Sequence, residues 1–138
     1  MLLRKPAARR TGAALVEAAI VIPVVLFLLY VIICGAFMVL TVDEVETATR
    51  EGARYASVRG SAYAFETKRP AATAQDIQAF VKAQAVTLKA TLITCNVSWA
   101  PSNRQGDYVT VEVIYQWPGL GPFRAQQIVA RSTMIMSY

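Results

Sequence analysis

Few residues in this chain are of types that do chemistry, and their spacing narrows the options further. Histidine is absent, which removes the commonest general base, metal ligand and pH switch together. Cys34 and Cys95 stand 61 residues apart, so they form no metal-ligand spacing, and Cys34 lies in an apolar run from which a disulfide to Cys95 is not expected. For Cys95, on an apolar-facing row, a buried free thiol is expected before an intermolecular disulfide. Asp43, Glu44 and Glu46 read as a solvated acidic flank rather than a cation site. Trp99, Tyr115, Trp117 and Phe123 are expected in a core before an adhesive surface, since the first three fall on alternating strand positions. No catalytic residue, cofactor site or metal site emerges.

The residue that asks for an explanation is Glu17, one position before a long apolar run. A carboxylate entering a bilayer is expensive and usually has a partner. One partner is Arg9 or Arg10 at the headgroups. The other depends on a cut after Gly12. The new amino group of Ala13 would then lie four residues from Glu17, one helical turn away on the same face. That ammonium could close onto its own Glu17 or onto the carboxylate of a neighbouring subunit. The second arrangement would fix one axial register, because a misplaced charge in low dielectric stays unpaired.

The elements around these residues are legible. Ala18–Leu40 is free of charge and, at ~1.5 Å per residue, spans ~35 Å, enough for a ~30 Å hydrocarbon core. Arg4, Lys5, Arg9 and Arg10 precede it and Asp43, Glu44 and Glu46 follow it, so the positive-inside rule puts the N-terminus in the cytosol and the later residues outside. Those four cations carry most of the formal net charge of +5, so the remainder is nearly balanced and a basic nucleic-acid surface is not expected. The run is too long for a secretory signal peptide. Ile33 before Cys34 is wrong for a lipoprotein signal, and Thr11-Gly12-Ala13 after Arg9-Arg10 is wrong for a twin-arginine signal.

The stretch RRTGAALVEAAIVIP, from Arg9 to Pro23, resembles the processing signal of prepilins: basic leader, glycine, cut, glutamate at the fifth mature position, apolar helix. Arg50-Glu51-Gly52-Ala53-Arg54-Tyr55-Ala56 resembles the signature of TadE-like proteins, minor pilins or pseudopilins of the tight-adherence (Tad) pilus. Ala18 departs from the aromatic or bulky residue that often follows the glutamate. The resemblance implies a leader over 1–12 cut between Gly12 and Ala13 by a prepilin peptidase. It also implies a register role for Glu17 and partners among other pilin subunits and the Tad assembly platform at the bacterial inner membrane. No small-molecule substrate is expected.

The expected fold is α+β and pilin-like. A membrane helix over 13–42 continues as a stalk over 43–59, with Gly60 as its stop, and Pro23 loosens or kinks it because it cannot donate to the Ala19 carbonyl. Glu46–Arg50 and Glu51–Arg54 have ion-pair spacing. The small residues Ala48, Gly52 and Ala56 form a row for close packing, under the protein's own sheet or against neighbouring helices. Residues 60–138 complete the domain with one further helix over 73–88 and an antiparallel sheet of three strands, 92–99, 108–117 and 127–136. The alternative is an uncleaved, membrane-anchored scaffold or binding domain of an envelope complex.

Overall fold

The computed structural model describes residues 8–137, with side chains from Gly12 onward. Arg4 and Lys5 lie outside the described residues, as do the side chains of Arg9 and Arg10. Helix α1 (Ala8–Ser57) is 50 residues of unbroken α-helix and passes through Pro23. At ~1.5 Å per residue that is ~75 Å of rod. It starts earlier than position 13, so Gly12 and Ala13 are both helical. It also stops at Ser57 rather than at Gly60. The Arg59 N–H bonds the Ala56 carbonyl, and Gly60 instead caps the start of a second, short helix, α2 (Ser61–Thr67).

Helix α2 corrects the expectation of a single further helix. It buries no side chain, so it carries no apolar periodicity from which it could be read. Helix α3 (Ala74–Gln84) is shorter than the expected 73–88. Its start is a capping box: Thr73 accepts from the Asp76 N–H, and Asp76 accepts from the Thr73 N–H. These bonds hold the Asp76 carboxyl below its usual range. Its end is set by the chain leaving for the stalk, where the Thr87 N–H donates to Glu44 at 2.9 Å. The Thr87 hydroxyl donates to the same carboxylate.

Strands β1 (Ile93–Ala100), β2 (Tyr108–Trp117) and β3 (Gln126–Ile135) form an antiparallel sheet in chain order, with β2 in the centre. The alternation along β2 decides its faces. Val109, Val111, Val113, Tyr115 and Trp117 are buried, as are Ile93 and Cys95 of β1 and Ile128 and Ala130 of β3. The register sets Cys95 and Ala130 on either side of Val113, and Ile93 and Ile128 on either side of Tyr115. The outer face carries a Thr110–Thr133 hydroxyl pair at 2.9 Å and an Arg131–Glu112 ion pair at 2.7 Å. The Arg131 guanidinium, with Asn96, lowers the Glu112 pKa.

Against the inner face lie the stalk part of α1 and helix α3. The stalk contributes Val45, Ala48, Thr49, Ala53 and Ala56, and α3 contributes Ile77 and Val81, all buried. Each fully buried Val or Ile contributes roughly 1.5–3 kcal/mol relative to exposure. The small side chains of the stalk bring its backbone close to the second layer. A Cβ on Gly52 would sit 2.5 Å from Val81 Cγ2, so glycine is what lets α3 cross the stalk there. The row Ala48, Gly52, Ala56 therefore packs inside the protein, and the aromatic positions Tyr115 and Trp117 are core.

Candidate functional site

The most unusual surface is the N-terminal half of α1. Its large apolar side chains from Leu15 through Leu29 stand exposed, with no protein against them. This is one helix long and apolar enough to cross a membrane, and the burial pattern makes it an anchor rather than a core helix. Gly12, Ala13 and Glu17 lie on this exposed rod. Gly12 has open space around it: a Cβ there would meet nothing within 4 Å. The pairing of Glu17 with Arg9 or Arg10 concerns side chains outside the described residues.

The 50–56 motif divides by direction. Gly52, Ala53 and Ala56 point into the core, whereas Arg50 and Arg54 are exposed. Arg50 pairs with Glu46 at 2.9 Å, as its spacing suggests. An exposed pair of this kind contributes only about 0.3–0.5 kcal/mol. The expected Glu51–Arg54 pair does not form; the only ion pairs among the described residues are Arg50–Glu46 and Arg131–Glu112. Three positions apart is a looser match than four, and Glu51 turns instead toward a groove between the stalk, the end of α3 and the end of β2. Tyr55 is an anchor that spacing alone did not reveal. Its ring stacks on Phe80 of α3 with centroids 4.4 Å apart. The Arg59 guanidinium lies 4.1 Å from its centroid and donates to its hydroxyl at 2.6 Å. The motif thus joins stalk to head.

The acidic flank likewise has separate duties: Glu44 holds Thr87, Glu46 holds Arg50, and Asp43 is exposed. No cluster of three or more metal-ligating side chains occurs among the described residues. Glu44 and Asp43 border the groove, of about 900 Å³, together with Phe37, Leu40, Leu88 and Trp117. Both cysteines are free and buried. Burial pushes the Cys95 thiol up to about 11. Cys34 is covered by the loop after β2, which folds down along α1, a contact with no sequence signal beyond Gly119 and Gly121.

An exposed apolar helix continuing into a stalk that supports a small α+β head defines a protein with a single-helix membrane anchor. The model of the family described as TadE-like protein matches residues 12–54, the same family whose signature the sequence resembles. The matched stretch opens at Gly12 and closes at Arg54, so it takes in the exposed helix and most of the stalk motif. The likeness is thus to the anchor and stalk, and the head beyond Arg54 lies outside it. No curated protein and no solved structure matches the chain.

Proposed function

We propose that this chain is a minor pilin or pseudopilin precursor of a Tad-type pilus, cut after Gly12 by a prepilin peptidase and assembled through α1. It sits in the bacterial inner membrane with its N-terminus in the cytosol and its head outside, and it can leave the membrane for a filament. It is the peptidase's substrate and does no catalysis of its own. The observation that carries this reading is Gly12. Glycine costs a helix interior about 0.8–1.0 kcal/mol relative to alanine. Gly52 answers that cost with a close approach, but at Gly12 a side chain would touch nothing. No demand of the folded chain accounts for glycine there, whereas a peptidase subsite that admits the backbone closely does.

After the cut, the Ala13 ammonium and the Glu17 carboxylate lie one turn apart on a rod whose apolar side chains have no partner within the chain. Lateral packing of such rods in a filament would bury both charges, and pairing between neighbours would set their axial register. Pro23, lacking a donor for the Ala19 carbonyl, is where the rod can loosen as it leaves lipid for the filament. Arg54, exposed and outside any ion pair among the described residues, remains available to neighbouring subunits.

The test is Gly12→Val, expressed in cells that hold the peptidase. Valine fits the open space and is a better helix former than glycine, so insertion and head stability should not fall. Cleavage should be lost, read as a persistent slower-migrating band. Normal processing of Gly12→Val would remove the main support for the reading. The alternative, an uncleaved anchored scaffold, predicts no difference between variant and parent.

A further inference from the structure

The loop joining β2 to β3 does not stand at the top of the head but reaches back along α1 into the uncharged run. Gly121, at a φ of +58°, lies so close to Tyr30 and Cys34 that a Cβ would come within 2.7 Å of the Tyr30 hydroxyl and 2.9 Å of Cys34 Sγ. The Phe123 ring rests against Gly35, with its Cζ 3.6 Å from where a Cβ would be. Gln126 reaches Met38 Sδ at 3.5 Å. Every one of these helix positions lies within Ala18–Leu40. At ~1.5 Å per residue, Cys34 is ~9 Å and Tyr30 ~15 Å on the membrane side of Leu40. Whatever surrounds that part of the helix also surrounds the loop.

We infer that the tip of the β2–β3 hairpin, Pro118–Phe123, is a second membrane contact, seated in the outer lipid headgroup layer beside α1. The inference rests on α1 being a membrane span, and magnitudes then set the depth. If the hydrocarbon core reached Leu40, the loop backbone would lie among acyl chains, where each unpaired N–H costs several kcal/mol. If the core ends near Tyr30, Ala13–Leu29 still spans ~26 Å, close to the ~30 Å required, with Glu17 about one helical turn inside its cytosolic edge, where its carboxylate needs the cationic partner described above. The second placement puts Tyr30, Phe37 and Phe123 at the interface, where aromatic rings are favoured.

The loop's chemistry suits that layer. From Val113 to Phe123 there is no charge, and the first one after it is Arg124, exposed and placed to meet phosphates. Pro118 and Pro122 have no N–H to leave unpaired. The N–H groups of Leu120 and Phe123 bond each other's carbonyls at 3.2 and 3.1 Å. Leu120 is a large apolar side chain at the turn that borders the groove with Phe37 and Leu40 and still leaves 42% of itself exposed. Two contacts, a helix and a hairpin, would fix the tilt of the head over the bilayer, which one helix alone leaves free to rotate.

The experiment uses the full chain with Cys34→Ala and Cys95→Ala, reconstituted into phosphatidylethanolamine–phosphatidylglycerol vesicles. Nitroxide labels go singly on Leu120→Cys, Leu26→Cys and Arg104→Cys, and collision with oxygen is compared with collision with a water-soluble nickel chelate. Arg104 lies in the β1–β2 loop, at the other end of β2, and reports bulk water. The expected result is an oxygen-to-nickel ratio at Leu120 several-fold above that at Arg104 and below that at Leu26. If Leu120 matches Arg104 while Leu26 stays in lipid, the hairpin contact is wrong and the anchor stands. If Leu26 also matches Arg104, both fall together.

Discussion

Replacing Gly52 by alanine tests the claim that the stalk motif is a packing device. The new methyl would lie 2.5 Å from Val81 Cγ2 and 3.7 Å from Val111 Cγ1. Both valines are fully buried, and a valine cannot rotate away freely because its χ1 is stiff. Helix α3 must therefore move off the stalk, and overpacking of this sort costs about 1–3 kcal/mol. A 2.5 Å approach to a stiff side chain puts the cost in the upper part of that range, about 2–3 kcal/mol, and alanine recovers about 1 kcal/mol of helix propensity, so the net loss should be about 1–2 kcal/mol. For a head of this size that corresponds to a fall in melting temperature of roughly 5–10 °C. The assay is thermal unfolding of the detergent-solubilised chain, followed by near-ultraviolet circular dichroism of Trp99 and Trp117. Adding Val81→Ala to Gly52→Ala should make the double variant more stable than additivity predicts, because the clash is then removed. A Gly52→Ala protein as stable as the parent, or more so, would refute the packing argument.

Other consequences follow from the charges and the thiols. Glu17→Ala should insert into the membrane normally yet fail to assemble, since removing one partner of a buried ion pair costs about 3–5 kcal/mol per contact. Filament counts set against membrane fractionation measure this, and normal piliation would count against the register role. Cys95 should resist iodoacetamide in the folded chain and react once the head is unfolded in urea. Its pKa is raised from 9.0 to about 11 by burial. The thiol therefore contributes stability that is whole below pH 9 and is lost as pH rises toward 11, because the unfolded chain ionises first. Unfolding midpoints across that range should fall more steeply for the parent than for Cys95→Val, and parallel slopes would contradict the assignment.

Periodicity made much of this fold readable, and the exceptions have physical causes. The central strand was legible to the residue because five buried side chains alternate strictly along it, and the edge strands shifted by one position at their ends. The anchor was legible from its uncharged length. Helix α2 was not, since it has no buried face to leave a pattern. Helix α3 stops four residues early because Glu44, 43 residues away, captures Thr87, a contact no local window contains. Of the candidate site, the Gly12–Glu17 spacing could be read directly, while Tyr55 and Gly52 needed their partners on α3 before packing could be told from surface. The descent of the β2–β3 loop to Tyr30 and Cys34 was likewise invisible, although two glycines at positive φ within three residues, Gly119 and Gly121, were a trace of it.

The most direct test is N-terminal sequencing, with intact mass, of the wild-type protein extracted from membranes of cells that carry the peptidase. A mature chain beginning at Ala13, lighter by the twelve residues Met1–Gly12, is what the account predicts. A chain that keeps those residues on every molecule would contradict it and leave an anchored head domain in place of a pilin.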